Sequence, residues 1–206
     1  MNARVLQPQN LNDGRQFLAP VFAQYPLEVD HAEGVWLYTK AGERVLDLYG
    51  GHAVAALGYG HPGWTRALTE QVKTCNFQSN AVPMEVRSRA AQRLIRFSGL
   101  DLSSVFFVNS GAEANENALK MAFRMAPGRT HVAAIEHSFH GRTAAVGALT
   151  WGALQKWYGL PRTPFDVSFI PRRDVAAIAH HVTEKTAGVI VEPVQGLAGA
   201  FDFGVA

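Results

Sequence analysis

Four short apolar segments, separated by helical or irregular stretches, constrain the fold of this chain most strongly. They are Val105–Val108, Val132–Ile135, Val167–Ile170 and Gly188–Val191. Strands that are apolar along their whole length are typical of parallel sheets with both faces covered by helices. The pattern therefore predicts an α/β fold, with a mostly parallel sheet flanked by helices. Since a parallel strand should be followed by a crossover, we expect the natural domain to continue past Ala206.

The first part of the chain has a different pattern. Residues 1–30 are polar and interrupted by prolines, which predicts an extended N-terminal arm. From Val35 to Leu48, two short strands surround Gly42, which predicts a small hairpin segment. Residues 50–62 are too irregular for one regular element. Two helices are predicted next, one beginning at Pro62 and one ending before Gly99.

Composition and charge exclude several classes of protein. Of the 206 residues, 48% are hydrophobic and 17% charged, which is typical of a well-buried globular protein. The net charge of +2, with no block of basic residues, gives no support for a nucleic-acid partner. No apolar run approaches the roughly 20 residues that span a bilayer, so no membrane partner is expected.

The sequence also predicts where the protein works. Cys75 is the single cysteine, which excludes an intrachain disulfide framework and fits a reducing compartment. It lies in a helical pattern, so we interpret it as a buried thiol rather than a nucleophile. The N-terminus has no apolar core of signal-peptide length. We therefore expect a cytoplasmic protein.

The segment Asn109–Lys120, NSGAEANENALK, has the strongest local signal for a ligand site. A predicted strand ends at Val108 and a helix begins at once, with Ser110 and Glu113 spaced as a capping box. Gly111 leaves the backbone amides at the helix start open to a ligand. Amides at the positive end of a helix favour an anion, and phosphate fits best. A capped helix without a ligand would have the same residues.

The segment His137–Thr143, HSFHGRT, follows the second predicted strand, where ligands of parallel sheets usually bind. The Phe139 ring is suited to stacking on a heteroaromatic cofactor, and the Arg142 guanidinium to a carboxylate. Ordinary loop packing is the alternative for both. His137 and His140 lack a carboxylate or thiol at a suitable spacing, so no metal is expected.

A third segment, Val191–Gly196 or VEPVQG, lies at the end of another predicted strand. It holds the Glu192 carboxylate next to the rigid Pro193. Such a carboxylate can pair with a cation or gate a pocket. A solvated loop acid is the alternative.

These three segments, together with LDLYGGHAVAALGYGHP from Leu46 to Pro62, resemble the class III aminotransferases. That family is a branch of the fold-type I pyridoxal-phosphate (PLP) enzymes, and the resemblance is to its acetylornithine/ornithine type. It extends from about Tyr25 onward. It implies PLP as cofactor, a small-molecule amino donor, a 2-oxo acid acceptor and a homodimer. The acetylornithine type acts in arginine biosynthesis, moving an ω-amino group from N-acetylornithine to 2-oxoglutarate.

The resemblance also implies roles for individual residues. It assigns the cofactor phosphate to Ser110, Gly111 and Ala112, and the pyridine ring to Phe139, with His140 beside it as a further cofactor-binding residue. These assignments agree with the anion site interpreted above from the helix start alone.

Three further residues are assigned to the substrates and the reaction. Arg142 would bind the substrate α-carboxylate. Glu192, the catalytic residue, would lie by the reacting centre and pair with a mobile arginine, and Gln195 would bind substrate by supporting that region.

Two local departures from the family pattern concern the substrate. Relatives often have Arg-Gly-Glu-Gly where this chain has His31-Ala32-Glu33-Gly34. Around Asn76 to Pro83 they often have a tyrosine facing the substrate, whereas this chain has Phe77, Gln78 and Ser79. The first puts any contact of that arginine in doubt. The second indicates a different side-chain preference for the donor.

The family's Schiff-base lysine and its pyridinium-pairing acid have no counterpart here. The lysines are Lys40, Lys73, Lys120, Lys156 and Lys185, and none has the expected context. We therefore expect an N-terminal fragment, inactive by itself. Residues 1–60 would form the arm and a small-domain segment, and residues 61–206 the first part of an incomplete, large PLP-binding domain.

Two alternatives stay open. One is another class III enzyme, such as a general ω-amino acid aminotransferase or an aminomutase. The other is a non-catalytic, truncated homologue that pairs with a full-length relative.

Overall fold

The computed structural model describes residues 18–19 and 21–204, so most of the predicted arm lies outside the described residues. The chain groups into two compact units, one ending at Arg89 and the other beginning at Ala90. The domain boundary predicted between residues 60 and 61 stays a prediction.

The first unit contains a three-stranded antiparallel sheet in the order β1-β2-β3. Its strands are β1 (Val29–Glu33), β2 (Trp36–Thr39) and β3 (Arg44–Leu46). The predicted hairpin is confirmed as β2 and β3, joined through Gly42 at φ +80°. The sequence did not predict β1, because this mostly exposed strand has no apolar alternation. It pairs with β2, where the His31 and Tyr38 rings stack with centroids 4.5 Å apart.

Residues 50–62 contain no long regular element, as predicted. The short turn α1 (Gly50–Ala53) has positive φ at every residue. The predicted helix at Pro62 is α2 (Pro62–Cys75), whose N-cap His61 accepts a hydrogen bond from the Trp64 N–H at 3.2 Å. The next helix, α3 (Glu85–Ser98), ends just before Gly99, as predicted. Cys75 is half-buried at the end of α2 and not the fully buried thiol that we predicted, because it lies in the last turn of the helix.

The second unit is built around a parallel sheet with strand order β5-β4-β6. This confirms the predicted α/β fold with strands at three of the four predicted segments. In chain order the elements are α4 (Gly111–Met125), β4 (His131–Ile135), α5 (Ala144–Ala148), α6 (Ala153–Lys156), β5 (Asp166–Ile170), α7 (Val175–His181), β6 (Thr186–Ile190), β7 (Val194–Gln195), a 3-10 turn (Gly196–Ala198) and β8 (Phe201–Asp202).

The prediction of a strand at Val105–Val108 is wrong, since residues 101–108 form no regular element. Apolar composition favours a strand only where a neighbouring strand can complete its backbone hydrogen bonds. Among the described residues this segment has no strand partner, and Phe106 is 67% exposed. The short antiparallel pair β7–β8 was not predicted, because two-residue strands show no periodicity.

The core of the second unit lies on both faces of β4. Val132 and Ala134 are completely buried in a cluster with Leu119 of α4 and Val146 of α5. Ala133 points to the other face and packs with residues of β5 and α7. Burial on both faces explains why Val132, Ala133 and Ala134 are all apolar. No helix among the described residues is long and apolar enough to cross a membrane.

Candidate active site

The start of helix α4 has the capping box that the sequence predicted. The Ser110 Oγ accepts a hydrogen bond from the Glu113 N–H at 3.2 Å, and Glu113 Oε2 accepts one from the Ser110 N–H at 3.1 Å. The N–H groups of Gly111 and Ala112, in the first turn, come before the helix can supply acceptors for them. A Cβ at Gly111 would meet no atom within 4 Å, so open space adjoins this first turn.

The loop after β4 is held in place by residues that follow α5. The buried Ser138 donates its hydroxyl to the Leu149 carbonyl at 3.3 Å. The Thr150 hydroxyl accepts from the His140 N–H at 3.1 Å and lies 2.9 Å from the Gly141 carbonyl. These bonds fix the backbone on both sides of Phe139.

Gly141 brings this loop against the first turn of α4. Its φ is +135°, and a Cβ there would lie 2.8 Å from the Ala112 Cβ and 2.6 Å from Val146 Cγ2. The Asn115 side chain adds a hydrogen bond, from Nδ2 to the His140 carbonyl at 2.9 Å. The structure thus brings together two of the three segments that the sequence singled out.

Glu192 brings in the third segment. Its Oε1 accepts a hydrogen bond from the Phe139 backbone N–H at 2.5 Å. Glu192 is half-buried just beyond β6, and Phe139 is 38% exposed, so its ring is accessible to a ligand. A predicted stacking residue and a predicted catalytic carboxylate are therefore in direct contact.

His140 is buried in the same loop, with 5% of its surface exposed. Burial lowers the pKa of its imidazole to about 4, so the ring is neutral at neutral pH. Among the described residues its Nε2 has no hydrogen-bond partner. An orphaned buried nitrogen, in a loop that packs against the first turn of α4, is an atom that a bound ligand can satisfy.

Arg142 is exposed and follows Gly141 directly, just before α5. Because Gly141 packs against Ala112, Arg142 lies close to the start of α4. The structure brings Arg142 to the same loop as Phe139 and His140, while its role toward a carboxylate stays a prediction.

Gln195 is completely buried, and both ends of its amide are engaged. Its Oε1 accepts from Arg172 Nε at 2.6 Å, and its Nε2 donates to the Glu136 carbonyl at 2.9 Å. In this arrangement it links the segment after β6 to the segments after β4 and β5. The role of Gln195 in binding substrate stays a prediction. The sequence did not single out Arg172, because an arginine after a strand has no distinctive pattern.

The sequence also missed Asn115 and Glu116, which lie inside the first motif. Both side chains bond to the loop after β4 or to the start of α5. A signal was present, since Asn-Glu-Asn is an unusual run for a helix interior and asparagine is a poor helix former.

The lysines of the second unit are Lys120, Lys156 and Lys185. Lys156 is the last residue of α6, and Lys185 comes just before β6, at the opposite end of that strand from Glu192. Lys120 lies on α4, beyond its first turns. In the part of the chain that the structure describes, no group of three or more His, Cys, Asp or Glu side chains is arranged to hold a metal ion.

The start of α4 packs against the loop that follows β4, and that loop bonds to the segment after β6. This arrangement is typical of α/β proteins that bind a ligand at the carboxyl ends of their strands. A sequence model of the aminotransferase class-III family matches residues 18–203, and the chain belongs to this family. It is 42% identical over 193 residues to the acetylornithine aminotransferase of Mesorhizobium japonicum, covering 88% of this chain and 46% of that protein. It is 36% identical over 187 residues to the acetylornithine aminotransferase of Methanothermobacter thermautotrophicus, covering 90% of this chain and 46% of that protein.

Solved structures agree with this assignment. The ornithine aminotransferase of Toxoplasma gondii superposes with a TM-score of 0.81 at 26% identity, over 90% of this chain and 45% of that one. An S-selective transaminase from an Arthrobacter species has the same fold, with a TM-score of 0.74 at 23% identity. The match covers 90% of this chain and 47% of that one. The fold is thus that of the fold-type I PLP enzymes. The chain spans about half the length of the curated relatives it matches.

Membership of this family implies pyridoxal phosphate as the cofactor, and the residues present fit it. Ser110, Gly111 and Ala112 offer a hydroxyl and two backbone N–H groups beside open space. Phe139 offers an accessible ring, and His140 a neutral imidazole with an orphaned nitrogen. This donor set suits a phosphate joined to a flat heteroaromatic ring.

Proposed function

We propose that the intact protein is a PLP-dependent aminotransferase. It transfers the ω-amino group of N-acetylornithine, or of a similar donor, to 2-oxoglutarate. The observation that carries the proposal is the close packing of Gly141 against Ala112, which joins the α4 start to the Phe139–Arg142 loop. The names of the relatives support the choice of donor.

In this proposal the start of α4 binds the cofactor phosphate. The Ser110 hydroxyl and the N–H groups of Gly111 and Ala112 donate to its oxygens, and the helix dipole favours its charge. Phe139 packs on the ring, and the neutral His140 lies behind it. When bound, PLP supplies a reactive carbonyl and an electron-withdrawing ring, which activate the amino group being transferred.

The substrates bind next to the cofactor in this proposal. Arg142 holds the α-carboxylate through its planar guanidinium. Glu192 lies by the reacting centre, where its carboxylate fixes the Phe139 backbone and can pair with a cation. Gln195 supports this region through Arg172 and the Glu136 carbonyl.

A second candidate is another class III activity, such as a general ω-amino acid aminotransferase or an aminomutase. The observation that favours it is the departure between Asn76 and Pro83, where relatives often have a tyrosine and this chain has Phe77, Gln78 and Ser79. Phe77 is 77% exposed. A panel of donors with the intact, PLP-loaded protein separates the two. If kcat/KM is about ten-fold higher for N-acetylornithine than for the other donors, the acetylornithine activity is supported. If kcat/KM is higher for β-alanine or 4-aminobutyrate, the alternative class III activity is supported.

We also propose that the intact protein is a homodimer, with residues 50–62 and 76–83 at the interface. Supporting this, Val54 is 83% exposed and Leu57 63% exposed, although both are apolar. Such side chains favour burial against a second copy. Light scattering tests the assembly, and a monodisperse monomer that stays active at nanomolar concentration contradicts it.

The non-catalytic alternative, a truncated homologue that pairs with a full-length relative, predicts no amino transfer by this protein alone.

We propose that the protein is cytoplasmic, with no nucleic-acid or membrane partner. The single cysteine and the near-neutral charge support this. Fractionation of the source cells tests the location.

A further inference from the structure

The Glu116 carboxylate on α4 bonds to the start of another helix. Its Oε1 accepts from the Thr143 hydroxyl at 2.6 Å, from the Ala145 N–H at 2.9 Å and from the Val146 N–H at 3.3 Å. All three donors belong to the N-terminus of α5 or to its N-cap. One oxygen therefore satisfies a set of donors that a helix start would otherwise leave without partners.

Helix α5 depends on this contact because it does not cap itself. Thr143 is its N-cap residue, yet the Thr143 side chain makes no capping bond to the helix. Glu116 takes that role from a different element, and its charge is favourable at the positive end of α5. Tyr158 holds the other side of the turn, donating its hydroxyl to the Ala144 carbonyl at 2.6 Å.

Arg142 lies between two anchors that α4 provides. On one side Asn115 bonds to the His140 carbonyl, and on the other its neighbour Glu116 bonds to Thr143. Between them Gly141 packs against Ala112 of the same helix. The backbone from which the Arg142 side chain extends is therefore set by the helix whose first turn forms the proposed phosphate site.

We infer that Glu116 is a positioning residue for Arg142. It fixes the Arg142 backbone relative to α4, so that the guanidinium meets the substrate carboxylate while the cofactor is held by the same helix. This inference rests on the proposed function. It assigns to Glu116 a specific effect on carboxylate-bearing donors, which a general loss of stability would not produce.

The first experiment needs no bound cofactor. In the intact, unloaded protein, hydrogen exchange is measured at residues 143–147 for Glu116→Ala and Glu116→Gln. We expect about ten-fold faster exchange at Ala145 and Val146 in the alanine variant, and much less change in the glutamine variant, which keeps an oxygen acceptor. Glu184→Gln is the matched control, since Glu184 is exposed and the change removes the same charge. Unchanged exchange in Glu116→Ala overturns the inference.

The second experiment uses the PLP-loaded protein. We expect Glu116→Ala to lower kcat/KM about ten-fold for an α-carboxylate donor, mainly by raising KM, and to change it little for a simple alkyl amine. Glu116→Gln should recover most of the loss. In an Arg142→Ala background, Glu116→Ala should add no further loss, because both changes remove the same interaction. Equal losses with both donors, or losses that add in the double variant, overturn the inference.

The two experiments also separate this inference from the proposed function. If the unaltered protein transfers no amino group from any donor, the proposed function fails, and the exchange result alone then decides whether Glu116 anchors the Arg142 turn.

Discussion

The backbone N–H of Phe139 donates a hydrogen bond to Oε1 of Glu192 at 2.5 Å, although 53 positions separate the two residues. The bond joins the loop after β4 to the segment after β6, the strand next to β4 in the sheet. A residue proposed to pack on the cofactor and a residue proposed to act at the reacting centre are thus coupled directly. Changes at Glu192 should therefore reach the cofactor through Phe139.

Replacing Glu192 tests this coupling. Glu192→Ala removes the carboxylate acceptor of the Phe139 N–H, at a cost of about 1.5 kcal/mol, or about ten-fold in affinity. We expect PLP to bind about ten-fold more weakly in this variant and to lose less affinity in Glu192→Gln. Equilibrium dialysis of the intact protein against PLP measures both. Wild-type affinity in Glu192→Ala would argue that the contact does not support the cofactor.

Arg142→Ala should impair donors selectively. A charge-assisted bond to a carboxylate contributes about 1.5–3 kcal/mol, so kcat/KM should fall about ten- to a hundred-fold for a donor with an α-carboxylate. A simple alkyl amine should react almost as before. Arg142→Lys should be intermediate, because an ammonium keeps the charge but loses the planar fork. Equal losses for both donors would show that Arg142 acts on something other than the carboxylate.

His140 should make stability depend on pH. Burial lowers its folded-state pKa to about 4, while the unfolded chain has the ordinary value near 6.5. Between these values the unfolded state binds the extra proton, so the free energy of unfolding falls as pH decreases, by about 3 kcal/mol in all.

Urea unfolding of the unloaded protein from pH 7.5 to pH 4 measures this dependence. Since burial also lowers the pKa of His131, the contribution of His140 is the difference from a His140→Gln variant. An identical pH dependence in the two proteins would mean that His140 is not held neutral by the fold.

Replacing Gly141 and Gly111 with alanine should have different effects on stability. Gly141→Ala forces a Cβ to within 2.6 Å of Val146 at a φ of +135°, and should cost about 3 kcal/mol of unfolding free energy. Gly111→Ala meets no atom within 4 Å and should leave stability nearly unchanged. It should still weaken PLP binding, because the methyl group would fill open space beside the proposed phosphate donors. Equal stability of the two variants in thermal unfolding would contradict the packing described at Gly141.

Much of this architecture could be predicted from local patterns. The apolar run Val132–Ile135 marks β4, which lies between β5 and β6 in the sheet, and the Ser110–Glu113 capping box is defined by spacing alone. The segment Val105–Val108 has the same apolar pattern, but it is not a strand, since pairing depends on a neighbour and not on composition. Local patterns therefore predict elements well and their partners poorly.

The contacts that assemble the site could not be predicted from local sequence patterns. The bond from Phe139 to Glu192 and the bonds from Glu116 to α5 join residues that are far apart in sequence. Each depends on side-chain direction and loop geometry, which no spacing rule gives. The buried amide of Gln195 is similar, because only the fold shows that Arg172 and the Glu136 carbonyl engage both of its ends.

The most direct test of the central claim follows the amino group itself. The intact protein is incubated with PLP, N-acetylornithine labelled with ¹⁵N at the δ-amino group, and 2-oxoglutarate, and the glutamate formed is measured by mass spectrometry. We predict ¹⁵N-labelled glutamate that requires PLP and falls about ten-fold or more with Arg142→Ala. Unlabelled glutamate, or none, from a protein shown to hold PLP would contradict the account.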